Sequence, residues 1–352
     1  MGRIEVRDFD GDIAALGDMA YDTLLEERGD DNWLDYYRPE IARHLFADVP
    51  DPRFLIAAYD GSKLVAFVAN LPRRYRLNGQ TYLGVWSTML GAHRDYRGAA
   101  VYLIAECLRR NQEFGADLAM LSIERKGYRS REMYNAYLRP RFPLVRVKPM
   151  YAITHAVDFD RIVQSQGLKW YERAGIRFWG AHRPITAPPV AGVVRLYAAT
   201  DLDQILALLG RYSDRNSLVR VFTRESLARR LATPGVTATL VYERGGAVLG
   251  FINFTAHELV SRRGRHRWGW LDFLYWDGLS AGEQRALLAG VWQASRELSC
   301  IGILEWNKDY YDKRPLYRAR FVPYPNYIEI NAWVLNPRLS VRGVRSIVEQ
   351  VV

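Results

Sequence analysis

The sequence predicts a mixed α/β protein that is built from two similar halves. Period-2 apolar runs, which are typical of strands, alternate with amphipathic helical patterns along the 352 residues. Two phrases also recur about 185 residues further along the chain. AAYDGSKLVAFV at 57–68 returns as LVYERGGAVLGFI at 240–252, and AYLRPRFPLV at 136–145 returns as PLYRARFVPY at 315–324. A repeat of this length indicates an internal duplication, so each half should carry a mixed sheet flanked by helices.

Each element of the first half follows from its local pattern. Apolar residues alternate in the predicted strands and recur at helical spacing in the predicted helices, and the turn Asp60-Gly61-Ser62 joins a hairpin. The predicted order is a strand at 4–9, helices at 12–25 and 32–46, hairpin strands at 54–59 and 63–71, a strand at 82–90, a helix at 99–110, a strand at 118–124, a helix at 130–137 and closing strands at 144–156.

The second half repeats this order around the turn Arg244-Gly245-Gly246. Its predicted elements are a strand at 194–197, helices at 201–209 and 223–232, hairpin strands at 238–243 and 247–254, a strand at 268–276, a helix at 281–298 and a strand at 301–306. A helix at 158–166 and a Pro-rich linker at 183–192 separate the halves. The predicted division is a first domain at 1–155, a connecting region at 156–192, a second domain at 193–337 and a C-terminal tail at 338–352.

The segment at 82–110 is suited to holding a phosphate. A strand rich in aromatic and β-branched residues runs into the polar turn His93-Arg-Asp-Tyr-Arg-Gly98, and a helix follows. The first N–H groups of a helix have no partner within it, and the helix dipole favours negative charge there. Gly98 permits close approach of the backbone, and Arg97 can add a bidentate charge-assisted bond.

The turn at 93–98 resembles the pyrophosphate-binding loop of the GNAT acyltransferase superfamily. In that family a strand ends in Pro-x-x-Arg-Gly-x-Gly-x-Gly or -Ala, and a helix follows. Arg97 and Gly98 match this pattern, whereas His93 replaces the proline, and Ala100 and Tyr102 stand where small residues are usual. Each half also follows the element order of a GNAT domain, so the resemblance covers nearly the whole chain as two tandem copies.

The resemblance implies that the first copy binds coenzyme A. In a GNAT domain two neighbouring parallel strands splay apart, and their unpaired backbone groups bind the pantetheine arm. Met89, Leu90 and Gly91, in the strand before the turn, would supply these groups. The diphosphate would lie on the turn and the start of the helix, at Arg97, Gly98, Ala99, Ala100 and Val101.

The resemblance also implies candidate catalytic residues. GNAT domains often end their last helix with Asn-x-x-Ala-x-x-x-Tyr-Glu-Lys-x-Gly-Phe, and the segment at 130–142 places Tyr137 and Phe142 on that pattern. Tyr137 is thus the candidate acid that protonates the departing thiolate. The candidate base is Glu124, which ends a predicted strand, with His93 in the turn as the other choice. Tyr137 is also open to an interpretation as a packing residue, and Glu124 to one as a surface carboxylate.

The second copy lacks the predicted coenzyme A-binding residues of the first. In place of the Arg-Gly turn it has Asp277-Gly-Leu-Ser-Ala-Gly-Glu283, and two carboxylates there would repel a diphosphate. Its strand at 268–276 is crowded with large aromatic side chains that would fill a cofactor groove. The sequence therefore predicts a degenerate copy that shapes the acceptor pocket.

Composition narrows the class of protein. An apolar fraction of 49% describes an ordinary globular protein, and the apolar runs are too short for a membrane span or a signal peptide. The only cysteines, Cys107 and Cys300, form no disulfide framework and no zinc motif, so no metal is expected. The net charge of +10 suits polyanions such as coenzyme A phosphates or tRNA, although a solvated Arg-rich surface explains it equally well. We expect a cytoplasmic protein with no membrane contact and little role for nucleic acid.

Three functions remain open from the sequence. The favoured one is an acyl-CoA-dependent N-acyltransferase, using acetyl-CoA or another acyl-CoA, that acts on a primary amine of a small molecule or peptide. The second is a Fem-like transferase that takes its aminoacyl group from tRNA; the basic surface favours it and the Arg97-Gly98 turn argues against it. The third is a non-catalytic GNAT-like binding protein. The acceptor, the acyl chain length and the oligomeric state stay open.

Overall fold

The computed structural model describes residues 4–29, 33–124, 131–132, 135–136, 140, 144–213, 215 and 217–351. In these residues the chain forms one continuous mixed sheet of fifteen strands, with helices on its faces. The main path of the sheet runs β1-β3-β4-β5-β6-β14-β7-β13-β12-β11-β10-β8, and the short strands β2, β9 and β15 pair off this path.

The first half contributes seven of these strands. Its elements are β1 (Ile4–Asp8), α1 (Ile13–Arg28), β2 (Trp33–Leu34), α2 (Pro39–Phe46), β3 (Leu55–Asp60), β4 (Lys63–Leu77), β5 (Gln80–Ala92), α3 (Ala99–Glu113), β6 (Leu118–Glu124) and β7 (Val145–Ala156). Two helices, α4 (Phe159–Gln166) and α5 (Trp170–Trp179), then lead into the linker.

The second half repeats the plan. Its elements are β8 (Val193–Leu196), α6 (Leu202–Ser213), β9 (Leu218–Val221), α7 (Arg224–Leu231), β10 (Thr237–Arg244), β11 (Ala247–Ser261), β12 (Gly264–Tyr275), α8 (Ala281–Glu297), β13 (Cys300–Trp306), α9 (Arg314–Arg318), β14 (Val322–Val334) and β15 (Ile347–Val348).

The two halves exchange their closing strands. β14 from the second half pairs with β6 of the first, β7 from the first half pairs with β13 of the second, and β14 and β7 pair with each other at the centre of the sheet. On both sides of this central pair the order is the same: an antiparallel neighbour, a parallel pair and then antiparallel strands. The strand order is thus symmetric about the β14–β7 pair. The boundaries at 155 and 193 remain a prediction.

Several elements differ from the sequence-based expectation, in which the individually predicted elements end at 306, before α9, β14 and β15. The segment at 32–46 is not one helix: Trp33 and Leu34 pair with Val260 and Leu259, and α2 begins only at Pro39. The residue before a proline is biased away from helical backbone, and proline is well suited to the first helical position, which explains this late start. α5 and β9 were not predicted, because the first buries none of its residues and the second is only four residues long.

The C-terminal segment is packed into the molecule. β15 pairs with β9, and Ile347, Val348, Glu349 and Gln350 are all buried. The Glu349 carboxylate lies 2.8 Å from Arg73 and 3.4 Å from Arg220, so this segment ties one side chain from each half together. Burial of such an ion pair leaves each charge dependent on its partner.

Candidate functional site

The strands β5 and β6 separate at the point where the sequence predicts a groove. They are parallel neighbours from Gly84 and Leu118 as far as Ser87 and Leu121, although β5 runs to Ala92 and β6 to Glu124. A β-bulge accompanies the separation, because the register between β4 and β5 shifts after Ala69 pairs with Thr88. Met89 in this bulge has a φ of 57°, which is uncommon for a residue other than glycine. The backbone of β5 beyond Ser87 therefore faces a gap.

The separated end of β5 leads directly to the start of α3. A single 3₁₀ turn, Arg94–Tyr96, connects them, and Gly98 occupies the N-cap position without a side chain that could accept a hydrogen bond. Within the first turn, Ala100 N donates to Arg97 O at 3.3 Å and Val101 N donates to Gly98 O at 3.2 Å. These two long bonds leave the helix start as a concentration of positive partial charge that a bound anion can complement.

Cationic side chains surround this helix start. Arg97 is half-exposed, and its Nη2 lies 3.2 Å from Glu26 Oε1 on α1. An ion pair as exposed as this contributes little to stability, so the guanidinium can exchange Glu26 for another anion at small cost. Lys63 Nζ lies 3.4 Å from His93 Nε2 at the base of the turn. Asp95 in the turn and Glu26 offset part of the positive charge of Lys63, Arg94 and Arg97, and the basic side chains remain in excess at the helix start.

A cavity of ≈ 290 Å³ opens beside the separated strands. It lies at the junction of the two halves, because residues from both contribute to its wall. The wall is mainly aromatic and aliphatic. Its lining residues include Leu24, Trp33, Tyr36, Tyr37, Ser87, Thr88, Met89, Leu90, Leu121, Ser122 and Ile123 from the first half and Trp268, Trp270, Leu304, Trp306, Tyr324, Ile328 and Val351 from the second.

Among the described residues of this wall, Arg28 carries a positive charge, whereas two buried groups stay neutral at neutral pH. Burial raises the pKa of the Cys107 thiol to about 12, so it is not a nucleophile at neutral pH. Burial, together with the charge of Asp35, raises the pKa of Tyr37 well above its usual range. The Tyr37 hydroxyl donates to Met89 O at 3.2 Å and so holds the bulge in place. Among the described lining residues there is no carboxylate.

The predicted binding residues lie close together in space. The side chains of the two predicted catalytic residues are not among those that the structure describes. Met89 and Leu90 line the cavity, Gly91 follows them, and the residues at 97–101 form the turn and helix start. Tyr137 lies outside the described residues. For Glu124 only the backbone is described: it ends β6 and pairs with Ile328 of β14. Its neighbour Ile123 lines the cavity.

The second half has the same separation of parallel strands, but there the gap is filled. The β12–β13 pairing ends at Trp270 and Leu304. The buried Lys308 ammonium donates to Leu271 O at 2.6 Å and to Asp272 O at 2.8 Å, and Leu274 N donates to the Tyr310 hydroxyl oxygen at 2.9 Å. The backbone groups that a pantetheine arm would need are thus satisfied by side chains of the chain itself.

The helix start of the second half is also closed. Ser280 caps α8 and forms a capping box with Glu283, whose carboxylate accepts from the Ser280 N–H at 2.7 Å. Glu283 also accepts from the Tyr242 hydroxyl at 2.7 Å, and these hydrogen bonds hold the pKa of Glu283 below its usual range. Asp277 is bound to Arg215 at 2.6 Å. A carboxylate therefore occupies the position that a phosphate would take.

Comparison with known proteins identifies the fold. No family model and no curated protein matches the sequence. Among solved structures, N-myristoyltransferase from Saccharomyces cerevisiae with bound myristoyl-CoA matches with a TM-score of 0.76 at 16% identity, over 100% of this chain and 85% of that chain. GCN5-related N-acetyltransferases match less closely: the one from Kribbella flavida has a TM-score of 0.53 at 14% identity, over 95% of this chain and 71% of that chain. The one from Anabaena variabilis has a TM-score of 0.56 at 11% identity, over 95% of this chain and 73% of that chain.

These matches show that the chain has a GNAT-type fold in its tandem form. The match to the yeast N-myristoyltransferase extends over both halves of the chain. The GNAT-type fold predicted from the duplicated element order is thereby confirmed, whereas the role of the Arg97-Gly98 turn stays a prediction.

Sequence reasoning missed the wall of the cavity. Tyr37, Trp268 and Trp270 meet there from distant parts of the chain, and the sequence signalled them only as local aromatic density. It also missed Lys308 and Tyr310, which lie just after a strand in a segment without a recognisable motif.

Proposed function

We propose that the protein is an acyl-CoA-dependent N-acyltransferase with one functional acyl-CoA site, in the first half of the chain. The observation that carries this proposal is the contrast between the halves: the β5–β6 gap and the start of α3 are open, whereas the equivalent positions of the second half are filled by Lys308, Tyr310 and Glu283. The pantetheine arm would run along β5 at 89–91, and the diphosphate would bind at 97–101.

The reaction is a direct transfer. A neutral primary amine attacks the thioester carbonyl, a carbon–nitrogen bond forms, and the carbon–sulfur bond breaks to release CoA thiolate. The oxyanion needs donors at the bulge, where the backbone of Met89 and Leu90 faces the gap. The amine proton needs a base, for which Glu124 is the candidate, and the thiolate needs an acid, for which Tyr137 is the candidate.

The size of the cavity bears on the substrates. A volume of ≈ 290 Å³ far exceeds that of an acetyl group, and the wall is largely apolar. The cavity therefore fits a longer acyl chain or an apolar portion of the acceptor as well as the acetyl group that the sequence favours. The yeast N-myristoyltransferase structure that matches this fold contains myristoyl-CoA, which makes a long-chain donor one to include in any test.

Release of free CoA thiol tests this function. The protein is incubated with acetyl-, octanoyl- and myristoyl-CoA and a panel of amines and N-terminal peptides, and the thiol and the amide product are both measured. Amine-dependent thiol release supports the proposal, and Tyr137→Phe should then lower turnover by roughly 10²-fold with CoA affinity nearly unchanged. Full activity of that variant would make Tyr137 a packing residue. Binding of no acyl donor by the wild type would favour a non-catalytic protein.

A further inference from the structure

Helix α5 presents an apolar face to solvent. Trp170, Tyr171, Phe178 and Trp179 are 79%, 51%, 84% and 66% exposed. They account for four of the eleven large hydrophobic residues that are exposed in the described part of the chain, within ten residues. Of the ten tryptophans, the other eight are all buried. Exposed aromatic residues at this density indicate an interaction surface rather than ordinary surface composition.

The helix is built from rows of side chains that lie side by side. Positions four apart share a row, so the rows are Lys169-Arg173-Arg177, Trp170-Ala174-Phe178, Tyr171-Gly175-Trp179 and Glu172-Ile176. The two apolar rows are adjacent, and the cationic row flanks them. The Glu172-Ile176 row is the less exposed one and faces the protein. An apolar face with a cationic flank is therefore turned outward.

The cationic row is not neutralised within the described residues. Arg173 Nε donates to the backbone oxygen of Leu168 at 2.8 Å, and the Arg177 guanidinium lies 5.3 Å from the ring of Phe159. Glu172, the carboxylate on the helix, accepts from the Lys169 backbone N–H at 2.7 Å. Neither arginine has a carboxylate within ion-pair distance among these residues. Their positive charge remains available to an anionic surface.

We propose that α5 docks the protein onto an anionic lipid surface. Trp, Tyr and Phe are the side chains that suit the boundary between headgroups and acyl chains, and the arginines beside them would pair with lipid phosphates. A ten-residue helix is about 15 Å long, half of the roughly 30 Å hydrocarbon core, so it would lie in the interface rather than span it. This inference departs from the sequence-based expectation of no membrane contact.

A second copy of the chain is the less favourable occupant. A two-fold interface that packs α5 antiparallel against its copy would bring its cationic row towards the same row of the other copy, and like charges would face each other.

Vesicle binding tests the proposal on the full chain. Co-sedimentation is measured with phosphatidylcholine vesicles and with vesicles that also contain phosphatidylglycerol, at low and at high salt. We expect binding only to the anionic vesicles, reduced by salt, with quenching of tryptophan fluorescence by brominated lipid. The double change Trp170→Ser with Phe178→Ser, and separately Arg173→Glu with Arg177→Glu, should each lower the partition by roughly tenfold or more.

Matched controls separate the helix from overall charge. Arg338→Glu with Arg342→Glu alters the net charge by the same amount at another exposed site, and Leu196→Ser removes another exposed apolar residue. Both controls should stay within about threefold of the wild type. The proposal is overturned if the wild type binds neither kind of vesicle, if the controls lose as much as the α5 variants, or if the α5 variants convert a dimer into a monomer in sedimentation equilibrium.

Discussion

Arg97 is the residue that best distinguishes a phosphate site from an ordinary surface turn. Its contact with Glu26 at 3.2 Å is exposed, so loss of that contact alone changes stability little. A bond from its guanidinium to a diphosphate would be a charge-assisted one, which is stronger than a bond between neutral groups.

We therefore expect Arg97→Ala to weaken acyl-CoA binding by about 1.5–3 kcal/mol, with the free energy of unfolding unchanged within about 0.5 kcal/mol. Calorimetric titration measures the first quantity and denaturant unfolding the second. Arg215→Ala is the matched control, because Arg215 pairs with Asp277 beside the equivalent helix start of the second half. Changes at Asp277 or Glu283 should likewise leave CoA affinity unchanged. Equal losses at Arg97 and Arg215 would place the cofactor elsewhere.

At the scale of elements, the same separation of parallel strands has two outcomes. In the first half the gap beside β5 opens into the cavity. In the second half Lys308 bridges two backbone carbonyls of β12 and lies 3.3 Å from the Glu305 carboxylate, all of them buried. The filled gap therefore stabilises the fold of the second half, and we expect the stability of the protein to depend on the Lys308 ammonium group.

Lys308→Met should lower the free energy of unfolding by about 3–5 kcal/mol, because it removes the cationic partner of the buried Glu305 carboxyl, which still accepts from the Tyr311 hydroxyl, and the donor to two backbone carbonyl groups. Urea unfolding followed by circular dichroism measures this. Lys313→Met is the control: Lys313 is partly exposed and pairs with Asp309 at 2.6 Å, so a loss below about 1 kcal/mol is expected. A loss at Lys308 as small as that at Lys313 would mean that the gap is not held closed by this group.

Sequence patterns predicted most elements because their signals are local. The hairpin turns at 60–62 and 244–246, the strand at 118–124 and the helix beginning at Ala99 all lie where the alternation and the turn residues put them. The prediction of one helix over 32–46 was wrong because the helix begins only at Pro39. The helix α5 was missed because its apolar face is turned outward and no buried stripe marks it.

The site was predicted only as far as one segment of chain could define it. The turn at 93–98 carries its own motif, so the helix start at Gly98 was found. The exchange of β7 and β14, and the cavity formed by Tyr37 with Trp270, depend on pairing between residues more than a hundred positions apart, which local patterns do not encode. The overall fold was nevertheless predicted, because the duplication makes the same local sequence pattern appear in both halves.

At the scale of the whole molecule, buried histidines predict how stability depends on pH. Burial lowers the pKa of His44 and His257 to about 3 and that of His155 to about 4. In the unfolded chain the histidines have pKa values near 6.5, so they bind protons as the pH falls below that value. The same histidines stay unprotonated in the folded protein. Each histidine should then lower the free energy of unfolding by about 1.4 kcal/mol per pH unit between about pH 6 and pH 4.

Two buried carboxyl groups oppose this trend. Burial raises the pKa of Asp272 to about 6 and that of Glu305 to about 7. Both groups therefore keep protons in the folded protein that the unfolded chain releases above about pH 4–4.5. Their contribution to the free energy of unfolding decreases as the pH rises. Acidification from pH 6 to pH 4.5 lowers the free energy of unfolding through three histidines and raises it through two carboxyls. The net loss of this free energy is about 1.4 kcal/mol per pH unit. His257→Leu should abolish most of this slope in urea unfolding measured across that range. An unchanged slope would contradict the assignment of neutral, buried His257.

The two halves share one fold, and we propose that only the first binds acyl-CoA. The stoichiometry of acyl-CoA binding, measured by calorimetry on the full chain, tests it most directly. An open β5–β6 gap and a filled β12–β13 gap predict one acyl-CoA bound per chain, at a site that weakens in Arg97→Ala. Two acyl-CoA molecules per chain, or one whose affinity is unaffected by Arg97→Ala and lowered by Arg215→Ala, would contradict it.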